Sequence, residues 1–260
     1  MSNPKTPLKS KIEVEVSSEE RPARTLQDRI VKSSSKSKSY LLDLRIQSPE
    51  SLGLMGLGGL DAAPALIRLS RAKGIDVIGV ADYFSGTFID RAVAASAGSG
   101  VTVIPGVVIR CATTSCNDVS LLCLFNENTT SAEVKDFLIT LGVTEKNFGN
   151  KSFVLTTPLD KIVKELDLRG ALCIPTRMDK TPYRMLAIPE LVEKYGFRAF
   201  DVCYPETTRI FKTRWPKTKF QFLSFSNAAA LAQVGSRVAK MKLSSPLFAS
   251  IKENILREVL

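Results

Sequence analysis

The sequence predicts an α/β fold built on a mainly parallel sheet, and three observations lead there. Short β-rich runs alternate with helical runs from Tyr40 onward, the strand runs are continuously apolar, and glycines and prolines punctuate the joins. Strands buried on both faces need helices on the outside, so a barrel or a doubly wound sheet follows. Both place their sites at the C-terminal ends of strands.

Residues 1–39 stand outside this pattern. They are rich in Ser, Lys and Glu, lack apolar periodicity and end in "KSSSKSKS". A disordered basic extension is therefore expected, with residues 40–260 as the folded domain.

The elements follow in order. "YLLDLRI" is a buried strand, and "GLMGLGGL" after it is a flexible loop, since it matches neither phosphate-binding glycine pattern. Asp61 caps a helix with Pro64 in its first turn and Gly74 at its end. "IDVIGVAD" is the second strand and "FIDRAVAASAG" the second helix. "VTVIPGVVIRC" is a strand expected to break at Pro105-Gly106, and "VSLLCLF" is another strand. "SAEVKDFLITLG", "PLDKIVKELDLRG" and "PELVEKYGF" are helical; "ALCIP", "RAFDVCY" and "FQFLSFS" are strands. "TRIFKTRWPKTKF" reads as a loop whose Phe211, Trp215 and Phe220 are core or rim anchors rather than a stacking platform for nucleic acid. "AAALAQVGS" reads as a short helix, and "PLFASIKENILREVL" as an amphipathic helix that closes the barrel.

Composition narrows the chemistry. The chain of 260 residues carries 36 Lys+Arg against 26 Asp+Glu, a net charge of +10, of which the segment before Tyr40 holds nine cations and five anions. The basicity is thus spread over the body, which favours contact with phosphates. No RNA-binding, zinc-finger or helix-turn-helix pattern accompanies it, so nucleic acid remains a partner only through the basic tail. There is no histidine. Imidazole bases, Ser-His-Asp and Cys-His pairs and His-bound metals are all excluded. Five cysteines without paired spacing suggest reduced, packed thiols; Cys111 and Cys116 have C-x₄-C spacing, but nothing completes a zinc site. No apolar run reaches the ~18 residues of a membrane span, and no signal peptide is evident, so a cytoplasmic protein without membrane contact is expected.

The strand ends to inspect carry Arg45 and Gln47, Asp82 and Tyr83, Val108 and Arg110, Thr176 and Arg177, and Ser226 and Asn227. There the chain resembles the PHP (polymerase and histidinol phosphatase) superfamily of metal-dependent phosphoesterases. "DLRIQS" is similar to D-L-H-x-H-S, "KGIDVIGVADYF" to K-G-L-D-x-I-x-x-T-D-H-N, and "VTVIPGVVI" to a strand pair ending P-G-V-E-I. "VSLLCLF" is similar to a strand opening with His, "GALCIPTRMDK" to G-G-x-x-I-P-A-H-x-D, and "FLSFSNAAALAQVGSR" to S-S-D-A-H-x-L-x-x-I-G-x-R. Six segments in the right order are more specific than any one. The resemblance implies a distorted (β/α)7-type barrel and a cluster of two or three divalent metals that activates water against a phosphate ester.

Residue by residue, that ligand set is dismantled. Arg45 and Gln47 stand at the paired His positions, Tyr83 at the His after Asp82, and Val108 at the bridging Glu. Ser120, Arg177, Asn227 and Ala229 stand at four more ligand positions. Arginine carries no lone pair for a metal and stays protonated, so Arg45 and Arg177 repel a divalent ion. No cofactor is expected, and the site expectation becomes Arg45, Gln47, Asp82, Tyr83, Arg177 and Asn227 as ligand-binding residues without a catalytic one.

Two readings of the pocket stay open. In one, Arg45 or Arg177 pairs with Asp82 and a fixed cation replaces the ion. In the other, the two arginines bind a phosphate without cleaving it, with Arg110 or Lys180 assisting. The implied protein is a pseudo-phosphoesterase acting as a binding, regulatory or scaffolding subunit, for a phosphate-containing ligand or a protein partner. The alternatives are a phosphoesterase with Asp82, Asp43, Asp118 or Asp179 holding Mg²⁺ at a relocated site, and a nucleic-acid accessory protein.

Overall fold

The computed structural model describes residues 37–48 and 61–257. The extension before residue 37 and the "GLMGLGGL" loop lie outside them. β1 (Lys38–Ile46) takes in Lys38 and Ser39, so the first strand begins before Tyr40. β2 (Val77–Tyr83), β3 (Thr102–Cys111), β4 (Val119–Leu124), β5 (Leu172–Pro175) and β8 (Ala239–Leu243) join it in one curled sheet of order β5-β4-β3-β2-β1-β8. β6 (Ala199–Asp201) and β7 (Gln221–Leu223) form a parallel pair of their own.

The large sheet is mixed rather than mainly parallel. β1, β2 and β3 run parallel, but β3 with β4, β4 with β5 and β1 with β8 are antiparallel. The seven residues between Cys111 and Val119 explain the first reversal, because a parallel partner needs a crossover of a dozen residues or more. Single bridges, Thr176 to Asp201 and Ile46 to Ala228, bring the small sheet against β5 and β1 at their C-terminal ends. The result is a half-barrel drawn together at its rim.

β3 is not broken at Pro105-Gly106. The Pro105 carbonyl accepts from Phe125 N–H at 2.9 Å, so its missing N–H faces the end of β4 and subtracts nothing from the β2 ladder. Gly106 is there for packing: a Cβ would meet Leu124 Cδ2 at 3.0 Å and Ala81 Cβ at 3.2 Å.

Helices α1 (Ala62–Ala72), α2 (Ile89–Ser96), α3 (Ser131–Thr140), α4 (Leu159–Leu168) and α6 (Ile188–Glu193) occupy their expected segments. Asp61 caps α1 through Ala63 N–H at 3.0 Å, and Thr130 with Glu133 closes a capping box on α3. α5 (Pro182–Met185) and β8 were not expected. The stretch read as a loop contains α7 (Thr208–Arg214), because Phe211 buries one face of it against Phe200, Phe220 and Phe222. Those aromatics are core, and Trp215 stacks on the same cluster. The segment read as a short helix holds only a 3-10 turn at Leu231–Gln233.

α8 (Phe248–Arg257) places Phe248, Ile251 and Ile255 in the cluster that Leu42, Leu44, Val108, Leu122, Ile174 and Phe225 share. That cluster draws on both sheets and fills the concave side. Two further clusters pack the helices on the convex side. No helix among the described residues is long and apolar enough to cross a membrane.

Candidate functional site

The site starts from an irregularity in β1. Leu42 and Asp43 pair with Val77 and Ile78, but Ile46 pairs with Val80, so β1 carries one residue more than β2 over this stretch. Such a bulge re-aims the side chain beside it. Gly79 makes room for it: a Cβ there would lie 2.3 Å from the Leu44 carbonyl oxygen. Leu44 thus stays in the concave core, and the next residue, Arg45, also turns inward.

Arg45 is 1% exposed and its guanidinium is held on three sides. Nη1 donates to Thr176 Oγ1 at 2.8 Å and stands 3.5 Å from Asp201 Oδ2, while Nη2 donates to Tyr83 Oη at 3.1 Å. The Thr176 hydroxyl donates in turn to Asp201 Oδ2, and Phe225 N–H donates to Asp201 Oδ1 at 3.1 Å. Arg45 Nε and Ser120 Oγ are buried without a hydrogen-bond partner among the described residues. In a site of this depth each unmet polar group costs about 1–3 kcal/mol.

Burial works against both charges of the pair. It pulls the Arg45 pKa down, against the pull of Tyr83 and Asp201, while Arg177 adds to the lowering. It pushes the Asp201 carboxyl up, against the opposing effects of Arg45, the Thr176 hydroxyl and Phe225 N–H. The carboxylate facing Arg45 is Asp201. Asp82 Oδ1 accepts Ser48 N–H at 2.6 Å, tying the chain after β1 to the end of β2.

The remaining strand ends complete the rim. Gln47 Nε2 donates to Asn227 Oδ1 at 3.2 Å, and Gln47 N–H to the Ala228 carbonyl at 2.8 Å. Arg177 N–H donates to the Asp201 carbonyl at 2.7 Å. The Arg177 guanidinium has no hydrogen-bond or ion-pair partner among the described residues, yet it lies close enough to Arg45, Asp201 and Cys203 to act on all three electrostatically. Phe84, Arg177 and Asn227 all have left-handed backbone, with φ of 48°, 52° and 50°. They are the non-glycine residues of the described chain in that region: Phe84 follows β2 directly, Arg177 lies two residues past β5 and Asn227 four past β7. Asparagine tolerates the conformation; phenylalanine and arginine hold it at a cost of about 1–3 kcal/mol each.

Other expected contributors lie elsewhere. Arg110 forks onto Asp118 at 2.9 and 2.7 Å, and Arg184 grips the same carboxylate at 2.8 and 2.9 Å, so Arg110 is committed there and not to an anion. Lys180 is exposed beyond Arg177. Asp43 accepts Ser226 and Gly235 N–H at 3.1 and 2.9 Å, and Asp179 accepts Cys203 and Tyr204 N–H together with the Thr207 hydroxyl. Each carboxylate thus organises its own turn. Cys111 and Cys116 are buried thiols, and Cys116 Sγ accepts Asp118 N–H. Among the described residues no group of three or more His, Cys, Asp or Glu could hold a metal ion. The donors at the positions resembling the PHP ligand set do not fit a divalent cluster, since its centre is a buried guanidinium.

Asp201 was missed in the sequence. Its signal was a lone carboxylate inside "AFDVC", at the C-terminal end of an apolar strand.

No protein-family profile and no curated protein matches the chain. Solved structures do. The lesion-specific endonuclease PfuEndoQ from Pyrococcus furiosus superposes with a TM-score of 0.62 at 15% identity, over 84% of this chain and 56% of that one. A two-domain protein from Bacteroides vulgatus, containing a predicted PHP-like metal-dependent phosphoesterase, gives 0.54 at 11%, over 84% and 63%. An amidohydrolase from Chromobacterium violaceum, with bound sulfate and no metal, gives 0.54 at 13%, over 84% and 97%. The chain thus spans little more than half the endonuclease. These likenesses establish a PHP-like fold for this chain, with an arginine-centred network where the resemblance places metal ligands.

Proposed function

We propose that this chain is a pseudo-phosphoesterase, a PHP-like domain that binds a phosphate-containing ligand at its rim and does not hydrolyse it, serving as a binding, regulatory or scaffolding subunit. One observation carries the reading. Arg45 is compensated by Asp201 within the fold, whereas the guanidinium of Arg177, beside it, has no hydrogen-bond or ion-pair partner among the described residues. A guanidinium at a strand end without a hydrogen-bond or ion-pair partner among the described residues suits a phosphate oxygen pair, and Arg45 Nε and Ser120 Oγ, also unmet among the described residues, add polar capacity near it.

Chemistry by a metal-activated water is disfavoured by the side chains themselves. Arg45 and Arg177 raise the positive potential where a cation would sit, and among the described residues Asp43, Asp82, Asp118 and Asp179 do not gather into a group of three or more metal ligands. The relocated-site alternative therefore lacks a shared locus.

The test is titration of the full chain with p-nitrophenyl phosphate in the presence of Mn²⁺, Zn²⁺ or Fe²⁺. Saturable stoichiometric binding without nitrophenol release is expected. Arg177→Ala should weaken that binding about tenfold or more, the worth of one charge-assisted hydrogen bond. Metal-dependent turnover abolished by Asp82→Ala would overturn the proposal in favour of a phosphoesterase.

A further inference from the structure

The antiparallel ladder between β4 and β5 sets Cys123 directly opposite Cys173. Its hydrogen-bond phase decides how close the two sulfurs come. Thr176 N–H donates to the Ser120 carbonyl at 2.9 Å, which puts the Ser120 and Thr176 pair in the hydrogen-bonded phase. The phase alternates at each step, so the pair three steps along, Cys123 and Cys173, falls in the non-bonded phase. There facing Cα atoms stand ~4.5 Å apart and side chains approach most closely, within the span of a disulfide. Pro175 opposite Leu121 agrees with this phase, because a proline has no N–H to give the ladder.

Access differs between the two thiols. Cys123 is fully buried, whereas Cys173 is partly exposed and lines a cavity of about 380 Å³ between α4, the start of β6 and α8. Both side chains leave the same face of the ladder and pack into the same apolar cluster. Cys111 is out of register: the β3 residue paired with Cys123 is Val107.

We propose that Cys173 and Cys123 are an oxidation site at which a hydroperoxide closes a disulfide across β4 and β5. The Cys173 thiolate attacks one peroxide oxygen, the O–O bond breaks, and Cys173 becomes a sulfenic acid as hydroxide leaves. The Cys123 thiolate then attacks that sulfur and expels its hydroxyl group as a second hydroxide. The two thiol protons convert both hydroxides to water. The sulfur pair has lost two electrons and hydrogen peroxide has gained them.

The placement links the bond to the rim. Ser120 and Thr176 lie on the same ladder, about 10 Å further along at ~3.4 Å per residue. A disulfide at Cys123 and Cys173 fixes the spacing of the two strands that carry them.

The experiment treats the reduced full chain with hydrogen peroxide, quenches in denaturant with N-ethylmaleimide and compares intact masses and non-reducing tryptic maps. The expected result is a protein two adducts short of its five cysteines, with the peptide GALCIPTR linked to the 111–135 peptide at Cys123. C123S should remove the link and leave Cys173 as a sulfenic acid that dimedone traps. Full alkylation after peroxide, a link at Cys111 or Cys116, or a link that survives C123S would each overturn the proposal.

Discussion

Two Arg–Asp arrangements among the described residues contrast: one joins two arginines to a single aspartate beside the β3–β4 edge, and the other spans the two sheets from Arg45 on β1 to Asp201 on β6. Arg110, Arg184 and Asp118 meet at a half-exposed edge with short forked bonds, Asp118 being 24% exposed. Arg45 and Asp201 meet at 1% and 2% exposure, at 3.5 Å, with one guanidinium nitrogen unsatisfied among the described residues. The better geometry is found where water could have solvated the charges anyway. The poorer geometry is found where nothing else can. A deep pair of this kind is weak evidence for stability, since its desolvation rivals its attraction, but removing one member is severe.

The contrast can be broken most sharply at Asp201. Asp201→Ala strands the Arg45 guanidinium and should cost roughly 3–5 kcal/mol in urea unfolding. Replacing both members, Arg45→Met with Asp201→Leu, should restore most of that loss or exceed it. If the double variant were as unstable as the single, the pair would be contributing more than charge balance. A smaller effect is expected at Gly79, which aims Arg45 without touching its charge. Gly79→Ala forces a methyl against the Leu44 backbone, and about 3 kcal/mol is the upper end of the usual cost of overpacking. Unchanged stability there would mean that β1 can shed its bulge.

The smallest effect belongs to the edge cluster. Asp118→Asn should cost about 1 kcal/mol or less at neutral pH, as solvent-screened pairs do. Its pH dependence sharpens the comparison. Hydrogen bonds and charge from Arg184 and Arg110 outweigh partial burial and hold the Asp118 pKa below the ordinary carboxylate range. Its contribution is present above pH ~3.9 and lost as pH falls through the depressed folded value. Asp201 is raised by burial, so its contribution is greatest below pH ~3.9 and is lost as pH rises through the folded value. Urea midpoints of Asp118→Asn and Asp201→Asn measured from pH 3 to 7 should therefore diverge from wild type with opposite slopes.

Much of this was legible in the sequence, and the gaps have physical causes. The apolar runs and the cap at Asp61 located most elements, because burial and capping are local signals. Parallel or antiparallel pairing is not local, so the reversals at β4, β5 and β8 were invisible in a run such as "VSLLCLF". Spacing placed Arg45, Gln47, Tyr83, Arg177 and Asn227 at strand ends and the structure puts them on one rim. Partner choice eluded the sequence: Asp82 stood within the resembling motif, whereas Asp201 is 156 positions from Arg45 and is brought to it by the β-bridge between Thr176 and Asp201. The bulge that aims Arg45 depends on an atom missing from Gly79, a residue that looked like an ordinary small strand position.

The left-handed turns at Phe84, Arg177 and Asn227 have a wider consequence. They fix the directions in which side chains leave the strand ends through main-chain torsion, whatever those side chains happen to be. The rim behaves as a socket cast in backbone, and new chemistry can be fitted by exchanging side-chain tips while the mould beneath keeps its shape.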